Sequence, residues 1–301
     1  MTLEQLRIFV AVADCEHMTR AAEALSLSQS AVSGAIQSLE ERHSISLFHR
    51  IGRRIELTHD GRQFLQEARS VLRAASAAEL ALLELRGLKR GAISLHASQT
   101  TAAYWLPERL ARFHAEHPSI DIKLSIGNTA QVAAAVSSGS AEIGFVEGTI
   151  NQPGLEMQQV DIDQLIIVVG VKHPWSQIRR IKIKQITQAK WVLRERGSGT
   201  RSVFEQALVG HGISPDQLDV ALELPSNEAV RAAVEAGAGA TAISQLVVRS
   251  ALLSKQLHGL QFEPLQRPFV LLKHRHRGHS SAVRAFLALI DRDQKKHSLR
   301  K

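Results

Sequence analysis

Apolar residues near the start of the chain recur at intervals of three and four, the period of one face of an α-helix. The pattern begins between Thr2 and Val12 and predicts a first helix there. Thr19 is placed to cap a short second helix, and Ser28 is placed to cap a third helix that ends near Arg42. The tight turn between the second and third helices predicts a helix-turn-helix.

A wing and a long helix are predicted next. The stretch HRIGRRIELT places Gly52 and its neighbouring arginines between two short apolar runs, as a two-stranded wing does. Thr58 then caps a helix predicted over about residues 59–88, before a hinge at 87–91. At about 1.5 Å per residue this helix spans roughly 45 Å, so we expect its apolar stripe to pair with a second copy of the chain.

Beyond residue 91, short β-like runs alternate with helical runs, which predicts a parallel α/β sheet. One set runs from ISLHA to AEIGFVE and a second from DQLIIVVGV to GATAIS, while PFVLLKHR and a last helix return to the first set. The sequence thus predicts an α/β protein with an all-α, winged-helix N-terminal domain. Its parts are a winged helix-turn-helix (1–58), a linker helix (59–90) and a two-lobed domain (91–301, with lobe I at 91–161 and 266–301 and lobe II at 162–265).

The net charge of +8 says less about partners than its size suggests. Residues 1–90 hold 12 basic and 11 acidic side chains, whereas residues 266–301 hold 10 and 2. The excess of basic residues lies in the C-terminal tail, so the net charge is weak support for nucleic-acid binding. Evidence for that function has to come from the pattern of residues along the chain.

Other features limit the class of protein. The single cysteine, Cys15, has no partner for a disulfide or a zinc cluster. The chain has no apolar run long enough to span a membrane, and its first residues lack a basic leader and a cleavage site. We therefore expect a cytoplasmic protein.

The string LRIFVAVADCEHMTRAAEALSLSQSAVSGAIQSLEERHSISLFHRIGRRIELTHDG resembles the DNA-binding signature of the LysR-type transcriptional regulators. The remainder resembles the same family, from ASQTTAAYWLPERLARFHAEHPSI to VRAAVEAGAGATAIS. The resemblance implies a dimer or tetramer with a periplasmic-binding-protein-like effector domain, and double-stranded promoter DNA, a small effector and RNA polymerase as partners. Within the family, the branch that regulates sulphur-anion metabolism and carbon fixation is the most similar one, on the strings GNTAQVAAAV, GFVEGTI and WVLRERGSGTR.

Gly34 departs from the family pattern, which often has a basic or polar residue at this position. We therefore expect contact with DNA at this position to be weaker or to be made by the backbone.

The candidate DNA-binding residues lie at the start of the third helix and on the wing. Gln29 can bond both edges of an adenine, and Ser33 can bond a base or a phosphate. Arginines on the wing suit phosphates or a narrowed minor groove. The alternatives are helix caps for the serines and solvated charge for the arginines. The full set is Thr19, Gln29, Ser30, Ser33, Arg50, Arg53 and Arg54.

The candidate effector-binding residues follow predicted strands and precede predicted helices, where free backbone N–H groups favour anions. The alternative for any one of them is ordinary helix capping. Since only 4% of residues are aromatic, we expect a small oxyanion or compact carboxylate. The resemblance to regulators of sulphur-anion metabolism and carbon fixation implies sulphite or sulphate first and a carbon-metabolism acid second. The set is Ser98, Gln99, Thr100, Thr101, Asn128, Glu147, Ser198, Gly199, Thr200 and Asn227.

Two other classes of protein share some of these sequence features. A two-lobed solute-binding protein without a DNA function would share the lobes but has no use for residues 1–90. An enzyme finds little support, because the GxGxxA at Gly237 follows a helix instead of a strand and no GxSxG is present. His274, His276 and His279 alternate with basic residues that oppose a cation, so neither a metal nor a cofactor is expected.

Overall fold

The computed structural model describes residues 1–51, 54–85 and 91–298, and the chain divides into two compact units after the long helix. Along these ranges no helix combines the length and the apolar character needed to cross a membrane. The first unit consists of α1 (Leu3–Cys15), α2 (Met18–Leu25), α3 (Gln29–His43), β1 (Phe48–Ile51), β2 (Arg54–Leu57) and α4 (His59–Leu85).

The first three helices enclose a core of apolar side chains that recur at helical spacing. Leu6, Phe9 and Val12 of α1 are buried against Val32 and Ile36 of α3. Burying each such side chain stabilises the fold by about 1.5–3 kcal/mol. This packing fixes which face of α3 remains in solvent.

The cap of α2 differs from the prediction. His17 has an extended backbone and is the N-cap, and its Nδ1 accepts a hydrogen bond of 3.2 Å from the backbone N of Thr19. Thr19 therefore lies inside the first turn of α2, and its predicted role as the cap is wrong. Thr58, by contrast, caps α4 as predicted, because its Oγ1 accepts a 2.9 Å hydrogen bond from Gly61 N.

The carboxylate of Glu40 joins the third helix to the start of the wing. Its Oε1 accepts hydrogen bonds from the backbone N atoms of Leu47 (2.6 Å) and Phe48 (3.1 Å). β1 and β2 then pair antiparallel, with Phe48 opposite Leu57. Residues 52–53 and 86–90 lie outside the described residues, so of the predicted hinge at 87–91 only Gly91 is described, as the first residue of the next strand.

The apolar stripe of α4 is divided between two environments. Phe64, Leu65 and Leu72 pack against the core of the first unit, so this part of the stripe is covered within the chain, where pairing with a second copy was expected. Val71 and Leu82 are exposed. The surface available to a second copy therefore lies on the side of Val71 and Leu82.

The second unit alternates strands and helices from Gly91 onward. A π-helical turn at Thr101–Trp105 leads into its first α-helix. The elements are β3 (Gly91–Ser98), α5 (Leu106–Glu116), β4 (Ile120–Gly127), α6 (Thr129–Ser138), β5 (Ile143–Glu147), β6 (Leu155–Gly170), β7 (Lys190–Arg194), α7 (Gly199–Gly210), β8 (Asp219–Leu224), α8 (Asn227–Glu235), β9 (Ala240–Ser244), α9 (Gln245–Leu253), β10 (Leu257–His274) and α10 (Ser281–Ser298).

The strands of the second unit form one sheet in the order β4-β3-β5-β10-β6-β9-β7-β8. Its outer pairs are parallel, but β6 and β10 are long and antiparallel to each other, so the predicted all-parallel sheet is wrong at its centre. These two strands pass through both halves of the sheet. One half packs around Trp105 and Phe145 and is called lobe I, and the other packs around Trp191 and Phe204 and is called lobe II.

Candidate functional site

The predicted base-contacting residues lie at the solvent-exposed start of α3. The N-cap Ser28 accepts a 3.2 Å hydrogen bond from Ala31 N and lies 3.0 Å from the Ser30 hydroxyl, Oγ to Oγ. Gln29 and Ser30 are exposed, whereas Ser33 is half-buried. Short polar side chains at the start of a helix are suited to base edges in a major groove.

The wing arginines are only partly described. The backbones of Arg50 and Arg54 lie in β1 and β2, where Arg50 is opposite Ile55 and Arg54 is opposite Ile51. Arg53 lies outside the described residues. Thr19 is exposed in the first turn of α2.

Hydrogen bonds across the cleft between the two lobes meet at Thr100. Its backbone N donates to Glu147 Oε1 at 3.2 Å, and both of these residues belong to lobe I. Its Oγ1 accepts from Asn227 Nδ2 of lobe II at 3.1 Å and from Arg267 Nη2 at 3.3 Å. All four residues are buried. The structure therefore brings three of the candidate effector-binding residues, Thr100, Glu147 and Asn227, into one hydrogen-bonded cluster.

Arg267 lies at the centre of this cluster and was not predicted from the sequence. Its guanidinium is 1% exposed and donates from Nε to Asp163 Oδ2 at 2.8 Å and from Nη1 to Thr200 Oγ1 at 2.9 Å. Its Nη2 lies 4.0 Å from Glu147 Oε1. Ser244 Oγ donates to the other oxygen of Asp163 at 2.7 Å. Burying two ions is tolerable only because nearly all their polar atoms are paired.

A second buried guanidinium belongs to Arg194, at the end of β7. Its Nη1 donates to Asn227 Oδ1 at 2.6 Å and its Nε donates to Glu195 Oε2 at 2.7 Å. Burial favours a raised pKa for Glu195, but the hydrogen bonds and charge of Arg194 outweigh it and lower the pKa below its ordinary value. Asn128 of lobe I donates to Glu195 Oε1 at 3.2 Å, so Glu195 also joins the lobes.

Other predicted residues are satisfied locally or line the mouth of the cleft. Ser98 and Thr101 lie 2.9 Å apart, Oγ to Oγ1, inside lobe I. Gln99 reaches lobe II, where its Nε2 donates to Pro225 O at 2.9 Å and its Oε1 accepts from Asn227 N at 2.8 Å. Ser198 is the N-cap residue of α7 but its side chain makes no capping hydrogen bond.

The lobes touch directly at Gly199. A Cβ on this residue would lie 2.5 Å from Glu147 O and 2.7 Å from Thr129 Oγ1, so no larger residue fits without moving a lobe. The hydroxyl of Thr129 is itself buried without a hydrogen-bond partner. Buried hydroxyls are rarely left unsatisfied, which makes Thr129 a further candidate contact for a ligand.

Tyr104 closes one side of the cleft mouth. Its hydroxyl donates to Glu228 Oε1 of lobe II at 2.9 Å. Burial, followed by this hydrogen bond, raises the pKa of Tyr104 to about 12, so the phenol keeps its proton at neutral pH. Together with the hydrogen bonds of Gln99, this bond joins the two lobes at the mouth of the cleft.

The histidines near the end of β10 show no sign of a metal centre. Burial, followed by the charges of Arg277 and His276, lowers the pKa of His274 below its ordinary value. Within the ranges that the structure covers, no group of three His, Cys, Asp or Glu side chains is arranged to hold a metal ion.

Both units match models of known protein families. Residues 3–62 match the model described as "Bacterial regulatory helix-turn-helix protein, lysR family", and residues 86–295 match the "LysR substrate binding domain". The chain belongs to the LysR family of transcriptional regulators. It is therefore a DNA-binding regulator with an effector-binding domain, as the resemblance of its sequence implied.

Two relatives of this LysR-type regulator match nearly its whole length. It is 34% identical over 299 residues to the uncharacterised regulator YeiE of Escherichia coli K12, which covers 97% of each chain. It is 30% identical over 288 residues to the RuBisCO operon transcriptional regulator of Allochromatium vinosum, covering 95% of this chain and 94% of the relative. The predicted likeness to carbon-fixation regulators is thereby confirmed.

A solved structure shows the same fold. The crystal structure of full-length CbnR complexed with target DNA matches with a TM-score of 0.71 at 22% identity, over 97% of this chain and 99% of that one. The predicted winged helix, linker helix and two-lobed domain are confirmed. The alternative of a solute-binding protein without a DNA function gives no account of the match at residues 3–62.

Proposed function

We propose that this LysR-type regulator reads its operator with α3 and the wing, and that a small anion bound between the lobes controls it. The cluster around Arg267 carries the effector part of the proposal. A buried guanidinium there contacts lobe II through Thr200 and lobe I through Thr100. A ligand that replaces either contact changes the bonding between the lobes.

Neutral donors give the cleft its preference for small anions. The hydroxyls of Thr100, Thr129 and Thr200 lie in the cleft, and Thr129 and Thr200 lie in the first turns of α6 and α7, where free N–H groups favour negative charge. Two guanidiniums and three carboxylates already share the site, so an added anion has to displace a carboxylate from Arg267. Glu147, at 4.0 Å, is the more weakly held of the two carboxylates beside Arg267.

Binding also requires the lobes to separate. The close approach of Gly199 to Glu147 and Thr129 leaves no space even for a Cβ between these residues while the lobes are in contact. A small anion therefore has to enter an opened cleft and bridge lobes held slightly further apart. A change in lobe separation gives the effector a route to alter the spacing of the DNA-binding domains.

Titration calorimetry with sulphite, sulphate and malonate tests the effector proposal. We expect at least one of them to bind, and Thr200→Ala to weaken that binding about fivefold through loss of one neutral hydrogen bond. Ser202→Ala, one residue beyond Arg201 on α7, serves as the matched control and should leave affinity unchanged. If Thr200→Ala and Ser202→Ala bind the anion equally well, the binding site lies elsewhere. If the wild type binds none of the three anions, the hypothesis of a small-anion effector is refuted.

Replacing Gln29 tests base reading by α3. We expect Gln29→Ala to lower affinity for a duplex selected by the wild type by about 1–3 kcal/mol, because a bidentate base contact is lost. Random DNA should be bound almost as before. Gln66→Ala on α4 is the control, and gel-shift titrations provide the measurement. An equal loss on both DNAs would show that Gln29 contacts only the backbone.

Each of the three segments of the chain has its own role in the proposed function. Residues 1–58 bind DNA, residues 59–90 link protomers in a homodimer or homotetramer, and residues 91–301 sense the effector. A regulator of promoters acts in the cytoplasm and communicates with RNA polymerase, and none of these residues has a catalytic role.

A further inference from the structure

Gly34 occupies the middle of the outward face of α3. Val32, Ile36 and Leu39 mark the buried face of this helix. At 3.6 residues per turn, Gly34 lies almost diametrically opposite those three side chains. Ser30, a predicted base contact, lies one turn earlier on the same outward face. Gly34 therefore lies on the face of α3 that is turned away from the core of the protein.

The fold itself gives no reason for a glycine at this position. Gly34 lies inside a regular helix and is not among the residues with positive φ. A Cβ added there would have no atom within 4 Å, in contrast to Gly199, where a Cβ would meet backbone at 2.5 Å. Glycine in a helix interior is less favourable than alanine by about 1 kcal/mol. The protein thus loses stability at Gly34 without a gain in its own packing.

We propose that Gly34 determines operator recognition by letting the backbone of α3 approach the floor of the major groove. This inference rests on the proposed DNA-binding function. A serine hydroxyl extends only one bond beyond Cβ, so Ser30 reaches a base edge only if the helix backbone comes close. A side chain at position 34 would occupy space between α3 and the floor of the groove, and its absence lets the backbone of α3 come closer to the bases. Gly34 is a positioning residue and makes no hydrogen bond through a side chain.

The test separates stability from recognition. A duplex is first selected from a random library by the full-length wild type, and a scrambled duplex of the same composition serves as the nonspecific reference. Affinity for both is measured for the wild type, Gly34→Ala and Gly34→Leu. Gly210→Ala is the matched control, because Gly210 ends α7 in the other unit and its Cβ position is equally open. Thermal unfolding followed by circular dichroism gives the stability of each variant.

We expect Gly34→Ala to melt at or above the wild-type temperature and yet to bind the selected duplex at least about tenfold more weakly, with a larger loss for Gly34→Leu. Binding to the scrambled duplex should change little, since no charge is altered. Opposite movements of melting temperature and affinity are not expected of a glycine that matters only for folding.

Two results would overturn the inference in distinguishable ways. Selected-duplex affinity equal to that of the wild type in both Gly34 variants would show that α3 does not approach the DNA at this point. Failure of the wild type to enrich any sequence would remove the DNA-binding function on which the inference depends.

Discussion

Arg267→Met is expected to destabilise the effector-binding unit by about 3–5 kcal/mol, the usual effect of removing one partner of a buried ion pair. The variant leaves the Asp163 carboxylate buried with Ser244 as its remaining partner among the hydrogen bonds described above. It also removes the hydrogen bonds that the guanidinium donates to Thr100 and Thr200, which lie on opposite lobes. Both the stability of the unit and the closure of its cleft should therefore suffer.

Urea unfolding followed by tryptophan fluorescence measures this effect in the full-length protein. The three tryptophans, Trp105, Trp175 and Trp191, all belong to the second unit, so their emission reports on that unit alone. Arg249→Met, an exposed arginine on α9, is the matched control. Adding Asp163→Leu to the variant should restore much of the loss, because both charges are then gone. A loss no greater than that of the control would mean that the buried pair contributes little.

Leu82→Glu is expected to weaken self-association at least about a hundredfold, or about 2.7 kcal/mol. Leu82 is 63% exposed on α4, and Val71 lies three turns earlier along the same line of the helix and is exposed as well. A charge in an apolar seam between helices has to be desolvated without a partner. LysR regulators form oligomers, and these two side chains offer the apolar surface that a partner helix needs.

Sedimentation velocity across a concentration series measures the change. Ser76→Glu places the same charge on an exposed position turned well away from Leu82, and it should leave association unchanged. Leu72→Glu is a less clear test, since Leu72 packs into the core of the first unit and its loss would disturb that fold. An intact oligomer in Leu82→Glu would show that protomers associate through another surface.

The features predicted correctly are those in which local sequence and tertiary packing agree. Ser28 and Thr58 cap helices because their hydroxyls reach nearby backbone N–H groups, and the apolar period of α1 and α3 follows from a core on one side. Thr19 fails as a cap because His17, two residues earlier, supplies an imidazole acceptor instead. A propensity for serine and threonine cannot anticipate that competition.

The centre of the cleft shows the opposite case. Thr100, Thr200 and Asn227 could be predicted because they begin helices after strands, a pattern visible in the sequence. Arg267 and Asp163 lie within long central strands, and their pairing depends on a register set over more than a hundred residues of chain. A single arginine between Gln266 and Pro268 has neither a period nor a motif. Only the antiparallel course of β6 and β10, which was predicted to be parallel, brings it to Asp163.

The carboxylate of Glu40 has a consequence for how DNA is read. By accepting hydrogen bonds from both Leu47 and Phe48, it fastens the end of the recognition helix to the first strand of the wing. The helix and the wing are thereby held at a fixed separation. DNA contacts both elements only if the spacing of its grooves matches that separation, so an operator whose grooves have to be narrowed is bound at a cost in bending energy. The affinity of the protein for an operator would then depend on the stiffness of base pairs that no side chain contacts.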